Sequence, residues 1–309
     1  MLLSNLELLA TAPGGVAKLR ELILTLAVQG KLVPQDPADE PAGVLLQKFR
    51  AEKDRLIAEG KSKRDKPVAE IAEEEKPFGL PQGWEWVRLA ALAEFENGDR
   101  GSNYPSRSNF VEHGVAFINA GHLVDERIDY SDMNYITPQN FALLRSGKVQ
   151  RDDILYCLRG SLGKFAQVTE NSPGAIASSL VIIRLSVAAV APYAMQYLKS
   201  PLAASLIKRF DNGTAQPNLG AGDLAKFVVP LPPEAEQSRI VTRVEELMRL
   251  CDALEAKGQL EAAQHAQLVS TLLGTLTAST TPEELADNWQ RVAQHFDLLL
   301  DRPEAIDAL

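Results

Sequence analysis

Cysteine and histidine are scarce in this 309-residue chain, which has two of the first and four of the second. Cys157 and Cys251 stand far apart in apolar surroundings, which reads as buried free thiols rather than a disulfide scaffold. His113, His122, His265 and His295 never pair with another His or Cys at metal-ligand spacing, so no zinc site is expected. The chain has no GxxxxGK[ST] loop and no GxGxxG turn, the common cradles for phosphates and dinucleotides. It also lacks a GxSxG nucleophile elbow. The Asn/Asp-Pro-Pro-aromatic tetrapeptide with which amino-methyltransferases hold a flipped base is missing. Asp152–Leu155 reads DDIL without a following acidic-x-Lys, a poor nuclease triad. Apolar runs such as Val187–Ala191 are too short to span a bilayer. The start of the chain has Glu7 and no basic residue before its apolar stretch, a poor signal peptide, so a cytoplasmic location is expected. These absences move the expectation from an enzyme to a binding module.

What is present is ordinary for a globular protein: 45% hydrophobic and 24% charged residues, with a net charge of −9. Wholesale disorder and collagen-like repeats are excluded, and the length suits about two domains. Five regions follow one another. Residues 1–60 are an N-terminal helical region. Leu19, Leu22, Ile23 and Leu26 mark one amphipathic helix, stopped by Gly30. Leu45, Leu46, Phe49, Leu56 and Ile57 mark a second, from near Gly43 to Gly60. Residues 61–79 form a charged linker, basic at Lys61, Lys63, Arg64 and Lys66, then acidic at Glu73, Glu74 and Glu75. Opposed charge blocks with little apolar content are expected to stay solvated.

Residues 80–233 change character. Short strand-like runs alternate with turn residues: WEWVRLAAL, GVAFINAG, DILYCL, KFAQVT, SSLVIIRL and KFVVPLP. One helix is expected over Pro192–Arg209. Residues 234–280 are a long helix opened by PPEAEQ. Ile240, Val244, Leu247, Cys251 and Leu254 form an a/d seam, and Leu268, Leu272 and Leu276 resume it. A last helix starts at Pro282 within residues 281–309. The fold class is α+β: one mixed α/β domain flanked by N-terminal helices and a long C-terminal coiled-coil helix. Glu7–Leu19 (ELLATAPGGVAKL) is echoed by Asp297–Leu309 (DLLLDRPEAIDAL) at a constant offset of 290. If this is not chance, the C-terminal region begins a repeat of the N-terminal one, and the chain is one half of a pseudo-symmetric object.

The order of parts resembles the specificity subunit of type I restriction–modification systems. LPQGWEWVRLAAL (Leu80–Leu92) is similar to the opening of that family's target-recognition domain. ENGDRGSNYP followed by GVAFINAGHL (Glu96–Leu123) is similar to its first strands and loop. RDDILYCLRGSLGKFA (Arg151–Ala166) resembles a GDILY-type run, with Asp152 in place of the usual Gly. Asn212–Met248 resembles the exit into the family's spacer helix, and Leu19–Leu46 the region that precedes a recognition domain. The resemblance implies a non-catalytic subunit that reads one half of a bipartite double-stranded DNA target. It implies docking of methyltransferase (modification) subunits, and of motor–nuclease (restriction) subunits, to form the holoenzyme. No cofactor is then bound by this chain; S-adenosylmethionine, ATP and Mg²⁺ belong to the partners. The family carries two recognition domains, and this chain has one. It is therefore either a truncated half or a natural half-subunit. In both cases a second half joins through the spacer helix, from a longer parent chain or a homodimer. A symmetric pair would read an interrupted palindrome.

A recognition domain positions itself on phosphates and reads base edges from loops on a rigid sheet. Three loops qualify. Asp99–Ser108 carries Arg100, Ser102, Asn103, Tyr104 and Arg107, with Gly98 and Gly101 allowing close approach to DNA. Arg159–Lys164 carries Arg159, Ser161 and Lys164, and Asn212–Asn218 carries Asn212, Gln216 and Asn218. Asn119, beside Ala120 and Gly121, is a further candidate. Ordinary polar loops, a tight hairpin and turn capping are the competing readings. Trp84 and Trp86 read as core anchors rather than base-stacking residues. Ile240, Val244, Leu247, Cys251 and Leu254 are the expected helix-pairing interface. Two other classes stay open: a stand-alone site-specific nuclease or methyltransferase, and a coiled-coil scaffold with no DNA role.

An acidic total ordinarily counts against nucleic-acid binding. Its distribution removes that objection. Residues 1–83 hold 12 basic and 13 acidic side chains, residues 84–230 hold 14 of each, and residues 231–309 hold 6 and 14. The acidity lies on the C-terminal helices. The expected recognition domain is neutral, so the isolated chain is expected to bind DNA weakly.

Overall fold

The computed structural model describes residues 14–60 and 70–294. The basic cluster of the linker and most of the two echoing termini lie outside these residues. Two compact units are present: residues 21–245, and residues 14–20 together with 246–294.

Helix α1 spans Gly15–Val28 and α2 spans Ala42–Ala58. Gly30 lies beyond the end of α1 with φ +66°, and a Cβ there would come within 2.5 Å of Pro81 and 3.0 Å of Trp84. Only glycine fits this stop, for both backbone and space. Within the acidic part of the expected linker Glu73 and Glu74 are exposed, as expected, but Glu75 is docked onto the domain. Glu75 pairs with Arg88 at 2.6 Å, and Phe78 packs against Trp86 with ring centroids 5.0 Å apart. Arg88 is 7% exposed and also donates to the carbonyls of Glu70 and Lys226, at 3.0 and 2.8 Å. A buried guanidinium needs such a set of acceptors, and it recruits the Glu70–Glu75 segment to supply them.

Arg88 holds the Glu75 carboxyl below the ordinary glutamate value of 4.5. The unfolded chain then takes up this proton first as pH falls. The pair's contribution is therefore complete above 4.5 and is lost as pH drops through the depressed value. We expect Glu75→Gln to flatten the fall of melting temperature in acid, read by thermal denaturation across a pH series.

The next strands come in quick succession. β1 (Glu85–Arg88) leads through the short helix α3 (Leu89–Leu92) into β2 (Ala93–Asn97). β3 (Phe110–Val111), β4 (Val115–Ile118), β5 (Leu123–Val124), β6 (Arg127–Ile128) and β7 (Tyr135–Ile136) precede α4 (Pro138–Leu143). β8 (Ile154–Cys157), β9 (Phe165–Gln167), β10 (Gly174–Ile176) and β11 (Leu180–Leu185) follow. Then come α5 (Ala191–Lys199), α6 (Pro201–Phe210), α7 (Ala221–Leu224) and β12 (Val228–Leu231). The long helix α8 covers Glu234–Thr277, and α9 covers Pro282–Gln294.

The single helix expected over Pro192–Arg209 is two. Ser200 takes an extended conformation and caps α6, its hydroxyl accepting the Ala203 N–H at 3.3 Å. Pro201 has no N–H to continue α5, so the break is local chemistry. Tyr193 and Tyr197 donate their hydroxyls to the carbonyls of Pro230 and Val228, fastening α5 to β12.

Two four-stranded sheets carry the domain. One has the order β2-β11-β8-β9 and is antiparallel throughout; the other has the order β10-β4-β7-β3, with β10 and β4 parallel. β1 pairs with β12, and β5 with β6. The two-residue period of β4 divides its side chains. Ala116 and Ile118 join Leu155, Cys157, Leu180 and Ile182 in one core. Val115 and Phe117 join Ile136, Leu144 and Ala175 in another.

Asp152 sits just before β8 with φ +71°. Its unusual place in a GDILY-type run is thus a glycine-type backbone position filled by a residue that tolerates it. We expect Asp152→Ala to cost about 1 kcal/mol, whereas Asp152→Gly stays within about 0.5 kcal/mol of the parent. Urea unfolding of both variants measures the contrast.

In the smaller unit, Arg20 of α1 bonds Asp252 at 2.7 Å and Glu255 at 2.8 Å. Thr281 caps α9, its hydroxyl accepting the Glu284 N–H at 3.2 Å. Val269, Leu272 and Val292 form the core joining α8 and α9, with Leu268 and Leu273 at its edge. Val269, rather than the expected Leu276, fills this core beside Leu272. Among the described residues no helix is long and apolar enough to cross a membrane.

Candidate nucleic-acid interface

Two of the three candidate loops leave one end of one sheet, and the third, between α6 and α7, lies against them. β2 ends at Asn97, opposite Val181 near the start of β11; Val181 faces Tyr156 near the end of β8, and Tyr156 faces Phe165 at the start of β9. Antiparallel pairing thus gathers the loop after β2, the β8–β9 loop and the turn before β11. The turn at Ala177–Ser179 ties them together. Arg100 donates to the Ser178 carbonyl at 3.3 Å, and the Leu158 N–H donates to the Ser179 carbonyl at 2.8 Å. The third loop joins through backbone bonds. Gly160 N–H donates to the Pro217 carbonyl and Leu219 N–H to the Leu158 carbonyl, with Arg159 and Asn218 facing each other as an isolated bridge. Asn119 follows Ile118, whose carbonyl accepts the Ala177 N–H, so it borders the same lip.

Within the lip the candidates divide into braces and exposed residues. Asn103 donates to the Leu143 carbonyl at 3.0 Å. Asn212 and Asn218 bond each other at 2.6 Å. Asn119 accepts the Gly121 N–H at 2.7 Å and so caps its own turn. Tyr104 packs edge-on against Phe117, and its oxygen lies 3.5 Å from the Ser178 N–H. These side chains shape the loops. Arg100, Ser102, Arg107, Arg159, Ser161, Lys164 and Gln216 are exposed. Gly98 departs from expectation: a Cβ there would lie 2.7 and 2.8 Å from the carbonyls of Ala177 and Ile176. Its close approach is to its own chain.

Electrostatics favour an anionic ligand. Asp99, in the first loop, and Asp211, just before the third, are both committed to backbone amides. Asp99 accepts the N–H groups of Arg145 (2.8 Å) and Gly101 (2.6 Å), which hold its carboxyl below the usual range. Asp211 accepts those of Asn218 (2.9 Å) and Gly213 (3.0 Å), with the same effect. Among the described residues Arg100, Arg107, Arg159 and Lys164 have no ion-pair partner. A domain neutral overall thus carries, on its candidate loops, cations without an ion-pair partner among the described residues. Cys157, next to the lip, is a buried free thiol whose pKa burial pushes up.

The helical seam has a different environment. Ile240, Val244 and Cys251 are buried within the chain itself, while Leu247 and Leu254 are half-buried. A charge at Val244 would therefore act on folding before it acted on any partner. Trp84 is buried and donates its indole N–H to Glu236 at 2.9 Å, an anchor as expected. The sequence pattern missed Arg88, Arg145 and the Ala177–Ser179 turn. The Thr137–Pro138 start of α4, with Thr137 accepting the Asn140 N–H, was the one local signal pointing towards Arg145.

Residues 81–264 match the family model "Type I restriction modification DNA specificity domain". The chain is 39% identical over 308 residues to the type I restriction enzyme EcoAI specificity subunit of Escherichia coli, covering 96% of this chain and 50% of that protein. It is 37% identical over 298 residues to the EcoEI specificity subunit of the same organism, again covering 96% and 50%. The chain spans about half the length of the curated relatives it matches. A chain solved in work on complex assembly of the type I R-M system shares its fold, with a TM-score of 0.50 and 18% identity over 82% of this chain and 55% of that one.

Proposed function

The chain belongs to the family of type I restriction–modification DNA specificity subunits, and from that premise we propose that its sheet-end lip reads one half of a bipartite DNA target. The observation that carries the reading is that Arg100, Arg159 and Lys164 stand on loops gathered at one end of one sheet, with Arg107 further along the first loop where it enters β3, and that none of the four has a carboxylate partner among the described residues. Unpaired cations on braced loops suit phosphate positioning, and the exposed Ser102, Ser161 and Gln216 between them suit base edges. The chain performs no chemistry in this reading. Modification subunits bring S-adenosylmethionine, and restriction subunits bring ATP and Mg²⁺, in a cytoplasmic complex. A second half joins through the spacer, where Leu247 and Leu254 remain half-exposed.

A gel-shift series with a mixed-sequence duplex tests the reading. Four phosphate contacts give a slope of log K against log salt of about −3.6. Affinity then falls about 150-fold between roughly 50 and 200 mM salt. A salt-independent or absent shift would favour a scaffold without a DNA role. For the seam, we expect Leu247→Asp to lower the melting temperature by less than Val244→Asp does and to disrupt assembly in sedimentation. Assembly unchanged in that variant would remove the pairing proposal.

A further inference from the structure

We propose that the segment from Leu144 to Gln150 is a fourth element of the lip, and that Arg145 is its contact to duplex DNA; this rests on the reading above. The segment is a surface connection between α4 and β8, yet its backbone is gripped by four charged side chains. Asp99 accepts the Arg145 N–H at 2.8 Å, and Glu96 accepts the Gly147 N–H at 2.6 Å. Arg184 donates to the Lys148 carbonyl at 3.2 Å, and Asp153 accepts the Gln150 N–H at 2.7 Å. Arg184 also joins the clamps to each other, bonding Glu96 at 3.1 Å and Asp153 at 2.8 Å. Asp153 is 1% exposed, so this network is built into the domain rather than laid on it.

The clamp seats the segment on the first recognition loop. Gly147 has φ +80°, and a Cβ there would lie 2.8 Å from the Gly98 Cα. Asn103 of that loop holds the Leu143 carbonyl. An unconstrained surface loop is mobile; this one is fixed at four successive points.

The clamp also sorts the segment's two cations. Lys148 is folded back, its ammonium 4.9 Å from the Phe141 ring centre and 3.3 Å from the Ala142 carbonyl. Arg145 is exposed and its side chain makes no hydrogen bond to the described residues. Its charge also helps to keep Asp99 ionised, which gives it a competing structural role. A guanidinium with a fixed backbone and an open fork is suited to a phosphate or a guanine edge.

Anisotropy titrations of the full chain with a labelled mixed-sequence duplex, alongside thermal melts, separate the possibilities. We expect Arg145→Ala to weaken binding about threefold to tenfold and to reduce the salt slope by about 0.9, with an unchanged melting temperature. Arg145→Lys should keep the slope, and Lys148→Ala should change neither. Parent-like binding by Arg145→Ala, with Arg159→Ala weakened, would overturn the inference and leave the reading of the lip intact. Parent-like binding by both variants would overturn both. A lower melting temperature in Arg145→Ala, with the salt slope unchanged, would mark a structural role only and also overturn it.

Discussion

Alanine at Arg100, Arg107, Arg159 and Lys164 together is expected to remove nearly all DNA affinity while the fold stays intact. The four side chains are exposed and have no ion-pair partner among the described residues, so their loss breaks no buried contact there. Exposed substitutions of this kind ordinarily change stability by less than about 0.5 kcal/mol each. The effect on binding is of another order. Each phosphate contact contributes about 0.9 to the salt slope, so the variant loses about 3.6 of it. At about 0.1 M salt that corresponds to an affinity loss on the order of a thousandfold. The recognition domain has equal numbers of acidic and basic residues, so little background attraction remains. Matched circular dichroism melts would show that the fold survived.

The second large effect falls on folding. Arg88→Met is expected to cost about 3–5 kcal/mol, a large share of a typical domain's stability. It strips Glu75 of its partner and leaves the carbonyls of Glu70 and Lys226 without a donor. The double variant Arg88→Met/Glu75→Met should recover part of the loss, because it removes the stranded carboxylate as well. Urea unfolding of the single and double variants reads both. Equal losses in the two would mean that the ion pair is not what holds the Glu70–Glu75 segment.

Much of the fold was legible in the sequence because its elements carry local patterns. The strands β1, β4, β8, β9, β11 and β12 coincide with short apolar runs, and α8 with an apolar seam opened by two prolines. Misreadings arose where a local signal met a tertiary one. Apolar spacing continues across Ser200 and Pro201, which hid a break that proline chemistry demands. Glu73 and Glu74 are solvated as the composition of the acidic block predicts, but Glu75 is not, because its partner, Arg88, stands in a strand and belongs to no motif. The same limit applies to the site. The loops were identifiable as stretches of polar residues and glycine. Which side chains brace and which face outward depends on bonds such as Asn103 to Leu143 and Asn212 to Asn218. Arg145 lay outside the candidate loops, because only the folded sheet brings its segment beside Asp99.

We propose that the lip selects a DNA sequence for a methylating complex. Long-read methylome mapping tests it most directly, in a host carrying this chain and its modification subunits as the only methylation system. The expected result is one bipartite methylated motif, and its loss when Arg100, Arg107, Arg159 and Lys164 are all alanine. The same motif, methylated to the same extent by that variant, would contradict it.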